Sequence, residues 1–259
     1  TMKILLNDRK KKDVFVSLFQ VLKNCSSVVS ITLETEFVHI QGMDKSKICL
    51  FDVTITKKWF AEYAVHEETK ICFDSNVFHS IISTKGDGQD LVITLENSNS
   101  ETLHINFISQ EAKKGEYKKS FKMPLVEYDY EEMHIPNVEY DAEFSLSAKQ
   151  ISEMFSQLSN FGNDIIINCS EEDISLSTNG VSGEMTVDIP IDDISTYSIV
   201  EGEKIILTYS LAYINKMCIT NKLSTDVDFS LSNDMPMKIR YDLGDDSSIM
   251  FFIAPKMND

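Results

Sequence analysis

The apolar positions of this chain change period several times, and each change marks an element. Val14, Phe15, Leu18, Phe19 and Leu22 recur at i, i+1, i+4, i+5 and i+8, one face of a helix that should end near Cys25. A short strand, Lys3–Leu6, precedes it, and Asp8–Asp13 forms a polar entry. Val29–Leu33 and Phe37–Ile40 then alternate as strands around a Glu34–Glu36 turn, and Ile48–Ile55 reads as another strand. Lys70–Phe73 leads into a short helix capped by Asp74 or Ser75, with Val77, Phe78, Ile81 and Ile82 inward. Gly86-Asp87-Gly88 is a turn, and Leu91–Leu95 with Leu103–Phe107 reads as a hairpin.

The second half repeats this order. Ser147 caps a helix with Ile151, Met154, Phe155, Leu158 and Phe161 inward, stopped by Gly162. Ile165–Cys169 and Ile174–Leu176 form a hairpin, Gly183–Ile189 is a strand, and Lys204–Leu207 leads into a helix burying Leu211, Ile214 and Cys218. Strands at Asp226–Leu231 and Met237–Tyr241 follow. The spacing repeats as well. Val14 answers Ile151 at 137 residues, Lys70 answers Lys204 at 134, Asp90 answers Asp226 at 136, and Leu103 answers Met237 at 134. Four segments at nearly one offset indicate an internal duplication. Two helices and many alternating strands per copy predict an α+β architecture, with helices covering one face of antiparallel sheet.

Between the copies, Phe121–Pro136 has neither period. Two prolines interrupt it, Asp129, Glu131 and Glu132 make its middle acidic, and Leu125, Val126, Met133 and Ile135 give it something to bury. It reads as an ordered connector lying on a surface rather than a solvated linker, which would be richer in Gly and Ser. Its acidic middle has no evident partner and should be the most mobile part.

The net charge of −17 by itself argues against nucleic acid, but it is unevenly spread. Residues 1–123 hold 17 basic and 16 acidic side chains, whereas residues 124–259 hold 7 and 25, so separate faces are expected. The odd, scattered cysteines (Cys25, Cys49, Cys72, Cys169, Cys218) form no CxxC or Cys/His cluster and read as buried thiols in a reducing compartment. No run approaches the roughly 20 apolar residues of a membrane span. No signal-peptide pattern opens the chain, and Thr1 ahead of Met2 reads as an added residue. Phosphate-loop, dinucleotide, zinc-protease and nucleophile-elbow motifs are all absent, and the five histidines show no i, i+4 pair. Tyr128–Glu132 is better explained as a solvated acidic segment than as paired catalytic carboxylates, and Asp87–Asp90 as a turn than as a calcium loop. Neither an enzyme nor a cofactor is expected.

Several segments resemble one family. Gln41-Gly-Met-Asp-Lys-Ser-Lys-Ile-Cys-Leu50 resembles the QxMDxSxVxL segment of eukaryotic DNA sliding clamps, the proliferating cell nuclear antigen family. Phe251–Lys256 is similar to that family's terminal YYLAPK, Asp234-Met-Pro236 to its DVP turn, and Leu158–Asn163 to its LSxIGD helix end. The resemblance implies clamp domains at 1–121 and 137–259 joined by the connector 122–136. It implies a homotrimeric ring around duplex DNA, helices lining the hole and sheets outside, acting as a polymerase processivity factor. Subunit edges would fall at about Glu116–Phe121 and Gly183–Ile189, carrying Tyr117, Lys119 and Phe121 on one side and Glu184, Met185 and Val187 on the other. DNA-facing lysines would be Lys10, Lys11, Lys12, Lys23, Lys85, Lys149, Lys216 and Lys222.

A pocket for short peptides bearing a glutamine, an aliphatic and two aromatics would take Met43, Lys47, Ile48 and Leu50 from the first motif and Met133, Ile135 and Pro136 from the connector. Met235, Pro236, Phe252, Ile253, Ala254 and Pro255 would complete it. The resemblance further implies DNA polymerase and other peptide-bearing partners, a clamp loader, and a nuclear or viral replication compartment. The chain departs from the family's basic helix positions at Val16, Ser17, Ser80, Ser83, Glu153, Ser156, Asn160 and Ile219, and Glu171 replaces the ubiquitin-accepting lysine. Such departures hint at a divergent lineage, a viral one being one option. Two other readings stand beside this one: a subunit of a heterotrimeric checkpoint-type clamp, and a duplicated β interaction domain with no role on DNA.

Overall fold

The computed structural model describes residues 1–111 and 113–257. The first repeat runs β1 (Met2–Leu6), α1 (Arg9–Cys25), β2 (Val28–Leu33), β3 (Phe37–Met43), β4 (Cys49–Thr56), a 3-10 turn, β5 (Glu62–Ala64), β6 (Thr69–Asp74), α2 (Ser75–Ile82), β7 (Gln89–Leu95), β8 (Thr102–Ser109) and β9 (Lys119–Pro124). The second runs β10 (Ala142–Ser147), α3 (Ala148–Leu158), β11 (Asp164–Cys169), β12 (Asp173–Gly180), β13 (Gly183–Pro190), a 3-10 turn, β14 (Thr196–Ile199), β15 (Ile205–Ser210), α4 (Leu211–Met217), β16 (Asp226–Leu231), β17 (Met237–Gly244) and β18 (Ser247–Ile253). Element for element the two lists coincide.

So does the pairing. The order β5-β1-β7-β8-β9 in the first repeat is β14-β10-β16-β17-β18 in the second, and β4-β3-β2-β6 becomes β13-β12-β11-β15. In sheet order β18 is followed by β4, where Ala254 N–H donates to Ile48 O at 3.0 Å and Thr56 N–H donates to Ser247 Oγ at 3.0 Å. By contrast β9 and β13, the counterparts of β18 and β4, are outermost in their sheets. The chain groups into two compact units: residues 1–42, 51–132 and 243–249 form one, and residues 43–50, 133–242 and 250–259 form the other.

Local chemistry explains the helix ends. Asp8 accepts from Lys11 N–H at 2.8 Å and opens α1. Asp74, rather than Ser75, caps α2, accepting from Asn76 and Val77 N–H at 2.9 Å; the Ser75 hydroxyl is committed to Ser26 O. Ser147 caps α3 as expected. In the first unit, Phe19 and Phe15 pack edge-on against Phe78 at 4.6 and 6.1 Å, so α1 and α2 share a core with the sheet beneath. In the second, Phe229 stacks on Phe144 at 5.1 Å and meets Phe155 edge-on at 6.1 Å. Four of the five cysteines are buried, all are free, and burial pushes the Cys169 and Cys218 thiols up to about 12.

Several expectations need correction. Val77 points outward at 45% exposure, because only Phe78 and Ile82 of α2 fall wholly on the core side of so short a helix. α3 ends at Leu158, short of Gly162. That glycine is needed instead for close approach to β12: a Cβ there would lie 2.3 Å from Thr178 Oγ1, and one on Gly180 would lie 2.0 Å from Phe161 O. The strands β5, β10, β14 and β18 are not among those read from the hydrophobic pattern, although β10 alternates apolar and polar residues from Ala142 to Ser147.

The connector is also more firmly held than its composition suggested. Leu125 and Val126 N–H donate to Glu101 O and Cys72 O at 2.8 and 2.9 Å. Lys70 Nζ donates to Tyr130 O at 3.1 Å, and Tyr130 OH to Gln41 Oε1 at 3.1 Å. Glu132, in the acidic middle, accepts from Thr32 Oγ1 at 3.3 Å. The segment makes its contacts one residue at a time against strand edges and side chains, which no periodicity reports. Because Gly180 has ordinary backbone angles, Gly180→Ala isolates the steric clash; it should cost about 2 kcal/mol in urea denaturation, with an unchanged m-value.

Candidate surfaces for DNA and peptides

The exposed faces of the helices carry fewer free cations than the sequence suggested. Lys10, Lys149, Lys216 and Lys222 are exposed. Lys23, in the last turn of α1, is half-buried beside α2, where its charge helps burial to lower the pKa of His79. Lys12, Lys11 and Lys85 are corrections. Lys12 is 1% exposed, and its ammonium donates to the carbonyls of Asp87 and Gln89. Burial, and then the charge of Lys85, lower its pKa. Lys85, itself largely buried, pairs with Asp13 at 2.6 Å. Lys11 pairs with Asp245 at 2.7 Å and lies 5.6 Å from the Trp59 ring. Consecutive helical residues are about 100° apart, so Lys10–Lys12 could not share a face.

Among the departures from basic residues, Ser17 is buried and Val16 half-buried, so neither belongs to the exposed surface. Ser80, Ser83, Glu153, Ser156, Asn160 and Ile219 do belong to it.

The residues expected to line a peptide pocket all fall within the second compact unit. Asp44 organises the first segment. Its carboxylate accepts from the N–H groups of Ser46, Ile48 and Cys49 at 3.0, 2.8 and 2.8 Å, and its own N–H donates to Cys49 O. Lys47 adopts φ +58° at the tip, leaving its side chain exposed. Ile48 is tied to Ala254 by the backbone bond described above, so the first motif and the chain's last strand meet directly. Asp234, at φ +60°, turns the chain into Met235 and Pro236. Of the connector residues, Met133 is 52% exposed, Pro136 exposed and Ile135 half-buried.

Strand alternation sorts the remainder. Phe252 faces outward, half-exposed, between the buried Phe251 and Ile253. Ile253 and Leu50, at 0% and 7% exposure, are core residues and leave the accessible lining. What remains is Met43, Lys47, Ile48, Met133, Ile135, Pro136, Met235, Pro236, Phe252, Ala254 and Pro255.

The outer edges at β9 and β13 differ in charge. β9 begins at Lys119, three residues later than the expected edge, because Lys113–Glu116 closes a turn and Glu116 accepts from Ser109 Oγ. Tyr117, just ahead of it, is 76% exposed, and Phe121 packs edge-on against Phe107 at 6.1 Å. The Lys119 ammonium donates to Thr84 O and sits 5.2 Å from the Phe107 ring. Along β13, Glu184 and Asp188 are exposed, and Met185 and Val187 are half-buried.

A duplicated α+β unit with a pair of helices per copy, and outer edges at β9 and β13 whose counterparts β18 and β4 are neighbours, is the architecture of the sliding-clamp class. Family models described as the N-terminal and C-terminal domains of proliferating cell nuclear antigen match residues 6–132 and 134–256, and the chain belongs to the proliferating cell nuclear antigen family. A DNA polymerase sliding clamp from Thermococcus fumicolans is 23% identical over 245 residues, covering 95% of each chain. Membership carries a clamp and processivity role on DNA, and members are scaffolds rather than enzymes. Among the described residues no helix is long and apolar enough to cross a membrane, and no group of three or more His, Cys, Asp or Glu is placed to hold a metal.

Sequence reasoning had not found the roles of Asp44 or Lys12. An aspartate two residues before a serine in a loop is a usable signal for the first, but nothing in a run of three lysines says which one turns inward. Lys12→Ala should lower stability by about 2 kcal/mol in urea denaturation, since two carbonyls lose a charged donor, whereas Lys10→Ala should leave stability unchanged.

Proposed function

We propose that three copies of the chain close head to tail into a ring around duplex DNA. On this reading the ring holds a polymerase and other partners through short peptides docked on the Met43–Ile48, Met133–Pro136 and Phe252–Pro255 surface. The observation that carries the reading is the correspondence of the edges. β9 and β13 are outermost, while their counterparts β18 and β4 are already neighbours. Pairing β9 of one copy with β13 of the next would repeat that junction and leave neither edge open.

Charge favours the same match: Lys118 and Lys122 are exposed at one edge, Glu184 and Asp188 at the other. Opposite signs also disfavour pairing like edges with each other. Because a closed ring is retained by topology, its contacts with DNA need only be weak and directed at phosphate. Lys10, Lys23, Lys149, Lys216 and Lys222 are enough for that, and a net charge of −17 per copy keeps the remaining surface from binding DNA. A loader that opens the ring, and a nuclear or viral replication compartment, belong to the same reading.

Native mass spectrometry should give three times 29.5 kDa, and the protein should stay on nicked circular DNA but run off once the circle is linearised. Tyr117→Ala with Val187→Glu should shift the mass towards a single chain. A persistent monomer at high concentration, or equal retention on linear DNA, would overturn the ring. For the docking surface, Phe252→Ala should weaken a peptide carrying a glutamine, an aliphatic and two aromatics by on the order of tenfold while the ring stays intact. Undiminished affinity would move the peptide elsewhere.

A further inference from the structure

His39, on β3, stands between two carboxylates. Its Nε2 is 2.8 Å from Asp52 Oδ2 on β4, and its Nδ1 is 3.3 Å from Glu132 Oε1 at the end of the connector. Thr32, the cross-strand partner of His39 on β2, donates to the same Glu132 oxygen. Gln41 Nε2 donates to Asp52 Oδ2 at 3.0 Å, while Gln41 Oε1 accepts from the connector's Tyr130. Two strands beside β3 and the connector thus converge on one ring.

The chemistry of that ring decides what the cluster does. A neutral imidazole has one N–H and one lone pair, and only the imidazolium can donate from both nitrogens. With a carboxylate at each nitrogen, both contacts are favourable only when His39 is charged. We propose that His39 is a protonation-controlled latch that positions the C-terminal end of the connector. Charged, it bridges Asp52 and Glu132. Neutral, it keeps its one N–H for Asp52 and turns a lone pair towards Glu132, which lets go.

The asymmetry follows from the two partners. Asp52 has the shorter bond, a second donor in Gln41 and a side chain only 10% exposed, so it cannot exchange His39 for water. Glu132 has the longer contact and is 46% exposed, so water replaces the imidazole at little cost. The charged groups facing the ring are Asp52 from β4 and Glu132 from the connector. β2 offers the Thr32 hydroxyl, Tyr130 acts through Gln41, and the Lys70 ammonium of β6 is at the Tyr130 carbonyl. The Asp52 hydrogen bond foremost, with the charges of Asp52 and Glu132, raises the His39 pKa above 6.5 against the opposing effect of burial. A raised folded pKa means the latch is closed below 6.5 and opens as pH rises through the folded-state value. Met133 follows Glu132 directly, so closing the latch adds a hold one residue before the segment read above as peptide-facing, beside the Thr32 hydrogen bond to Glu132.

The test is made on the full chain without peptide, so its outcome does not depend on whether peptides bind. Backbone ¹⁵N relaxation of residues 130–135 is followed across the titration of the His39 ring. The ratio of closed to open latch should fall roughly two- to fivefold. Order parameters should drop from about 0.85 towards about 0.6, with their midpoint at that of His39. Glu132→Gln should abolish the step and lower the His39 midpoint, and His39→Gln should give a flat profile. A flat wild-type profile, or the same step in Glu132→Gln, would overturn the proposal.

Discussion

The constraint on which the rest depends is the unpaired backbone of two of the outer strands, β9 and β13. A β-strand leaves every second N–H and C=O pointing sideways, and an edge that stays open is a site for uncontrolled association. The duplication sets up two such junctions and answers one of them inside the chain, where β18 lies beside β4. In the proposed ring, a second molecule answers the other. The β9 edge, with exposed lysines, and the β13 edge, with exposed carboxylates, are the counterparts of β18 and β4 and carry opposite sign. A chain that paired β9 with β9 would set like charges against each other, so the same residues that invite assembly also restrict its direction.

Much of this was legible in the sequence. The 3.6-residue stripes of α1 and α3, the alternation of β7 and β8, and an offset of 134 to 137 residues define two copies of one fold. The motif around Asp44 and the terminal Phe251–Lys256 segment, far apart in sequence, meet through one backbone hydrogen bond between Ile48 and Ala254. What hydropathy could not resolve was direction within a half-buried strand or a charged turn. Phe251, Phe252 and Ile253 are equally apolar, and only pleat alternation puts the middle one outside. Lys10, Lys11 and Lys12 are equally basic, yet one faces solvent, one meets Asp245 and Trp59, and one is buried on the carbonyls of a turn. Short strands such as β5 and β14 form because their neighbours present an edge to them, a tertiary cause with no local signature.

The buried Lys12 bears on function as well as stability. Spending basic side chains on internal contacts (Lys12 on a turn, Lys85 on Asp13) leaves the helix faces with a thin set of cations among serines, Glu153 and Ile219. A protein that held DNA by affinity could not accept that loss, since each phosphate contact contributes to a salt-dependent binding constant. A protein that holds DNA by enclosure can, and a lightly charged lining favours sliding over pausing. The sparse cations on the helix faces are thus consistent with the proposed enclosure and no argument against contact with DNA.

The connector brings these constraints together. Its first half is bound by backbone bonds to Glu101 and Cys72, which fix it whatever the pH. Its second half is held through side chains, Tyr130 to Gln41 and Glu132 to Thr32 and His39, and side-chain contacts can be released without disturbing a strand. An acidic run was therefore a poor guide to disorder here. The carboxylates that made the segment look solvated include the one that anchors it, and the fold has placed a titratable group opposite that anchor where a fixed cation would have held it permanently. A lysine or arginine at position 39 would hold Glu132 at every physiological pH, whereas a histidine does so only in part of the range.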